Sequence, residues 1–187
     1  MHKKIFLMLL VFFLNKAISQ SINSSISQSF QENKFDKFSR LTIGLGHTHV
    51  SEGKVNGNTK WLAMPSWTIN YDNWLSKKWA IGLQADLILE NFIIESNHQE
   101  LIERSYPLAL VPVAIYKPNK HISLIAGIGG ELSKNHNLAM TRLGVEYGIH
   151  LPQHWEVGTS LVWDGKWNYY NSWGLVVTFS KIWLHHK

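Results

Sequence analysis

The chain has 187 residues, no cysteine and a formal charge of +5 from 18 basic and 13 acidic side chains. Without cysteine there is neither a disulfide framework nor a lipid-anchored residue behind a leader. Lysine and arginine form no stripe, so the basic balance gives no support to nucleic-acid binding.

Residues 1–19 read as a secretory signal peptide: His2, Lys3 and Lys4, an apolar run from Ile5 to Leu14, then the small-x-small pattern Ala17-Ile18-Ser19 before Gln20. The run is about half of what a spanning helix needs. No later stretch is uniformly apolar over such a length. Removal of the leader takes away Lys3, Lys4 and Lys16, leaving 15 basic side chains against 13 acidic ones, a formal +2. Residues 20–39, rich in Ser, Gln and Asn, read as a flexible lead-in.

From Arg40 the apolar period becomes two, the period of a strand with one face in oil. Eight strands are predicted, at Arg40–Val50, Lys60–Asp72, Lys78–Asn91, Arg104–Tyr116, His121–Leu132, Leu138–His150, His154–Trp163 and Ser172–Trp183. Residues 184–187 form a tail. Connections alternate between compact turns (Asn73–Lys77, Lys117–Lys120, Leu151–Gln153) and mostly longer polar loops (Ser51–Thr59, Phe92–Glu103, Ser133–Asn137, Asp164–Asn171). Pro65 and Pro112 fall inside strands and are expected to mark a bulge or local widening, since a closed sheet has no edge to hide a missing donor.

Strand ends carry Trp61, Tyr71, Trp79, Tyr116, Trp155, Trp163, Trp173 and Trp183 in the apolar phase. Amphipathic rings collect where hydrocarbon meets water, so these residues read as two aromatic girdles. The opposite phase carries Gly82, Gly127, Gly129, Gly144, Gly148, Gly158 and Gly174 and, past the first residues Lys60 and Lys78, no lysine within the predicted strands. That composition suits a crowded lumen better than the watered face of a soluble lipocalin-like barrel.

Leader, strand count, girdles and the last strand Trp173-Gly174-Leu175-Val176-Val177-Thr178-Phe179-Ser180-Lys181-Ile182-Trp183 resemble the small eight-stranded outer-membrane barrels of Gram-negative bacteria. The resemblance spans residues 40–183 and is architectural. It implies an all-β, antiparallel, up-and-down transmembrane β-barrel, monomeric, with both termini and the short turns in the periplasm. Outer-membrane lipid and, during biogenesis, the barrel-assembly machinery are the implied partners.

The inward phase places Asp86, Glu90, Glu131, Glu146 and Glu156 inside, with Arg142 as the sole cation; Asp164 sits at the rim, and Arg104 shares the outward phase of Tyr106 unless the register of its strand slips by one residue, which would bring it inside. Five acids around one arginine predict a narrow acidic interior. Its carboxylates must be paired, protonated, hydrated or bound to a cation, so binding or passage of a small divalent cation on oxygen ligands is one expectation. No other cofactor is expected. His47 and His49 share one face and are candidate metal ligands lacking a third partner, while His98, His121, His136, His150 and His154 fall in loops or at strand ends. The run His49-Val50-Ser51-Glu52 resembles the His-x-Ser-Asn signature of the lipid A deacylases, with Glu52 in place of Asn. It implies a lipid-modifying hydrolase as the alternative to a structural or surface-interaction role.

Overall fold

The computed structural model describes residues 37–185 except 56, 96–99 and 135, and excludes the side chains of Glu52, Val55 and Thr59. The predicted signal peptide, nearly all of the lead-in, and His98 lie outside the described residues. Ten strands run in chain order: β1 (Phe38–Val55), β2 (Asn58–Trp74), β3 (Trp79–Ile88), β4 (Asn91–Glu95), β5 (Leu101–Ser105), β6 (Leu108–Tyr116), β7 (Ile122–Leu132), β8 (Leu138–Leu151), β9 (Trp155–Lys166) and β10 (Tyr170–Leu184). Eight of them, β1–β3 and β6–β10, form an antiparallel sheet that closes on itself through the β10–β1 ladder. Closure leaves these strands no unpaired edge, which is what allows a sheet to sit in hydrocarbon.

The stagger of that closure follows from the ladders. Pairing runs Arg40, Asp72, Gly82, Val113, Gly127, Arg142, Asp164, Ser172 and returns to β1 at Val50, ten residues beyond its start. For eight strands this stagger tilts the strands by about 40° from the barrel axis. Such tilt needs close backbone approach at some inward positions. A Cβ on Gly46 would lie 2.1 Å from the Leu175 carbonyl oxygen.

Two elements depart from the sequence expectation. The segment expected as a loop at Phe92–Glu103 is largely the β4–β5 hairpin, and the strand expected from Arg104 begins only at Leu108. The break is at Tyr106, whose φ is +42°, followed by Pro107; the left-handed residue resets the inside-outside phase. Neither Pro65 nor Pro112 shifts the register, so neither marks a bulge. β1 and β2 pair without a shift through His47–Pro65, and β3 and β6 through Leu83–Pro112. Pro112 is accommodated where the β6–β7 ladder has no pair between Leu110 and Val113, so its missing donor goes unused without a change of register. The two prolines are not neighbours: Pro112 pairs with Leu83, which faces Tyr71, six residues along β2 from Pro65.

The β4–β5 hairpin folds over the open end opposite the short turns. β4 follows β3, yet Ile94 pairs with Gly53 of β1, on the far side of β2. Its inward residues Phe92, Ile94 and Ile102 join Val50, Met64, Leu138 and Tyr170 in one buried cluster. Side chains from β1, β2, β8 and β10 thus meet beneath the hairpin, which is a lid.

Candidate functional site

The lumen is filled by three charged groups stacked along the axis, held by cross-strand pairs that the stagger dictates. Nearest the short turns, Arg40 of β1 donates from Nε and Nη2 to Oδ2 of Asp72, its partner across β2, at 3.0 and 2.7 Å. Its Nη1 reaches Glu146 of β8 at 2.5 Å and Glu156 of β9 at 2.6 Å. Lys117 approaches Glu156 at 3.8 Å and His150 lies 2.8 Å from it. The Trp74 indole underlies the group, with Lys117 Nζ 5.2 Å and the Arg40 guanidinium carbon 6.0 Å from its ring centre, and Phe38 stacked on it at 5.3 Å. Gly148 supplies the room Glu156 needs, since a Cβ there would come within 2.9 Å of that carboxyl carbon.

At mid-height Arg142 of β8 makes a bidentate pair with Asp164, its neighbour across β9, each bond 2.7 Å. Its remaining nitrogen donates to Gln84 at 3.1 Å and to Asp86. Under the lid, Arg104 of β5 is wholly buried and pairs with Glu131 of β7. It also donates to the His136 carbonyl at 2.5 Å. The Tyr170 hydroxyl donates to the same carboxylate at 2.6 Å. Lys166 stands between the two upper groups, 3.5 Å from Glu131 and 3.9 Å from Asp164, and donates to Ser172 at 2.5 Å. Beside these charges, β6 lines the lumen with Ala109, Val111, Val113 and Ile115, all buried.

This arrangement corrects the acidic-interior expectation. Arg142 is not the sole interior cation: Arg40, Arg104 and Lys166 are buried with it. The upper two groups hold Arg104, Arg142 and Lys166 against Asp86, Glu131 and Asp164. Arg104 comes inside because the break at Tyr106 reverses its phase, and Lys166 because β9 continues three residues past its predicted end at Trp163. Asp72, overlooked at a strand end, is fully buried. Glu90 is the opposite case: β3 ends at Ile88, and Glu90 lies exposed in the bend that follows rather than in the lumen. Asp86, Glu131, Glu146 and Glu156 do face inward, divided among three arginines rather than joined to one another. Among the described residues, two buried polar atoms lack a partner, Asp72 Oδ1 and Trp74 Nε1.

The remaining candidates lie on the outer face. His47 and His49 point outward, opposite Pro65 and Ala63, and among the described residues no three His, Asp or Glu side chains are grouped to hold a metal ion. Ser51 Oγ donates to the Asn171 carbonyl at 3.1 Å. No hydrogen bond joins it to His49 among the described residues, and the Glu52 side chain lies outside them. Among the described residues no nucleophile, base and orienting acid are brought together here. Of the aromatic residues, Tyr71, Trp79, Tyr116, Trp155 and Trp183 circle the turn end and Trp61, Trp163 and Trp173 the lid end. Trp79 packs on Tyr116 at 4.8 Å, and Lys181 sits 4.5 Å over Trp155.

No protein-family profile and no curated protein sequence matches the chain. Solved structures do. Ail, the attachment invasion locus protein of Yersinia pestis, in complex with the heparin analogue sucrose octasulfate, is similar at 13% identity over 78% of this chain and 99% of its own, with a TM-score of 0.54. A second structure of Ail gives 12% identity over the same shares and a TM-score of 0.50. Neisserial surface protein A gives 11% identity over 76% and 96%, with a TM-score of 0.49. At such identities the likeness speaks to architecture alone, and with the closed sheet it is unambiguous: this chain has the fold of the small eight-stranded outer-membrane β-barrels.

Proposed function

We propose that the protein resides in the bacterial outer membrane as an occluded barrel and acts through the surface it presents on the lid side, rather than by passing solutes or by catalysis. The observation that carries this is closure of the lumen from both ends. Trp74 and Phe38 block the turn end, the lid and its apolar cluster block the other, and arginine–carboxylate groups occupy the space between. An eight-stranded barrel has room for little beyond its own side chains.

What remains exposed is the lid. Among the described residues β5 pairs only with β4 and ends the sheet; Ser133 holds the backbone of Ser105 at its end, and the outer edge ahead of that residue is open to an added strand. Exposed Ile93, Leu101 and Tyr106 flank that edge. The sulfated ligand named for Ail does not carry over readily, because exposed Glu90, Glu100 and Glu103 surround this lid.

Orientation and occlusion are both testable. The chain has no native cysteine, so Lys60→Cys and Lys120→Cys place single thiols at opposite ends. In intact cells a membrane-impermeant maleimide is expected to label the first and spare the second; equal or reversed labelling rejects the reading. In planar bilayers the refolded barrel is expected to give no unitary current steps, and sustained cation-selective steps would return the protein to the channel class.

A further inference from the structure

The turn end carries a charge asymmetry that the lid-side reading does not use. Among the described residues its lysines are Lys37, Lys77, Lys78, Lys117, Lys120 and Lys181, while every carboxylate in that half, Asp72, Glu146 and Glu156, is buried around Arg40. The lid end instead mixes Lys54, Lys60 and Lys134 with exposed Glu90, Glu100 and Glu103 and with Glu95, which pairs with Lys54. Four of the turn-end lysines converge. Lys77, Lys78, Lys117 and Lys120 line one cavity of about 370 Å³ with His150, floored by Phe38 and Trp74.

Three further observations bear on what this cavity takes. Lys117 is already largely buried there, its amine held over the Trp74 ring. Burial holds that amine below the usual lysine range, against the attraction of Glu156; an arriving anion would relieve that penalty. The Trp74 indole N–H, buried beneath the cavity, has no acceptor among the described residues. The lysines also sit where headgroups lie: Lys77 and Lys78 directly precede Trp79, and Lys117 directly follows Tyr116, two rings of the turn-end girdle.

From this geometry we propose that the turn-end cavity is a binding site for a phosphate group, supplied by the headgroup of an acidic phospholipid in the adjoining leaflet. Four lysines answer the charge, and Asn119 offers a neutral donor. The apolar faces of Phe38 and Trp74 suit glycerol carbons, which a free phosphate would leave uncovered. The site is independent of what binds the lid.

The mature chain, refolded in discs of phosphatidylcholine with phosphatidylglycerol and released in the gas phase, reports retained lipid by native mass spectrometry. The parent is expected to retain phosphatidylglycerol, and Lys77→Ser/Lys78→Ser/Lys120→Ser to retain about 10-fold less or lower still, each lysine contributing near an anionic surface. Lys77→Arg/Lys78→Arg/Lys120→Arg keeps the charge and is expected to match the parent. Lys54→Ser/Lys60→Ser/Lys134→Ser, altered at the other end, is the control and is expected to match it too. A second arm titrates inorganic phosphate calorimetrically in zwitterionic detergent. Lysine-dependent binding in that arm alone supports the phosphate site and assigns it to soluble esters instead of lipid. Equal retention by the serine variant with no phosphate binding, or equal loss in the control, overturns the proposal.

Discussion

Among the described residues Arg40 gathers more buried acid than any other side chain, taking Asp72, Glu146 and Glu156 from three strands. The pairs are poor evidence of net stability, since taking both partners out of water costs about what their attraction returns. Removing the cation alone is different, because three carboxylates then face one another in a dry lumen. Arg40→Met is therefore expected to destabilise the barrel by about 3–5 kcal/mol, read as a lowered urea midpoint in refolded vesicles. Lys54→Met, which breaks a partly exposed pair with Glu95, should cost no more than about 1 kcal/mol. Equal effects would show that Arg40 is not the hub. In sequence, phase alone placed Glu146, Glu156 and Arg142 inside. Arg40 and Asp72 escaped notice because they stand at strand ends, where alternation has too few neighbours to declare a face. That these two meet across β1–β2 follows from register, which a period of two leaves open.

At the scale of elements, the eight barrel strands were legible because alternation and turn residues agree in each, and terminal aromatics mark five of them. The lid was not. Phe92, Ile93 and Ile94 run without alternation, and the short β4 and β5 strands gain their apolar contacts from β1, β2, β8 and β10, remote in sequence. The same remoteness fixes how the lid is held: Arg104 ties β5 to Glu131 on β7, and Tyr170 on β10 shares that carboxylate. Arg104→Ala leaves Glu131 with Lys166 and Tyr170 and removes the tie. The expected result is cleavage within residues 91–105 by added protease at least ~10-fold faster, since cleavage tracks the population of the open form. Barrel strands should remain resistant and the heat-dependent gel shift intact. Loss of both together would mean that lid and barrel unfold as one unit.

For the whole molecule, the decisive quantity is the height of the apolar band. Trp173 and Trp183, at its two margins on β10, are ten residues apart, which at ~3.3 Å per residue and a tilt near ~40° spans about 25 Å. That is the outward apolar height of a barrel matched to the outer membrane. Between them Leu175, Val177 and Phe179 point outward, Val177 with 66% of its surface exposed, while Val176, Thr178 and Ser180 are buried in the lumen. In water such a face would be an aggregation surface; in acyl chains it is the solvated one. Depth then predicts cost. Val177→Arg, at mid-band, is expected to lower folding stability in vesicles by about 2–4 kcal/mol. Lys181→Arg, beside the Trp155 ring with its amine already donating to the Gln153 carbonyl at 2.8 Å, should change it by roughly 0–1 kcal/mol. Urea titration of both variants in the same lipid measures the gradient. A mid-band arginine tolerated as well as one at the margin would mean that this face meets water, and that aliphatic exposure here has another cause.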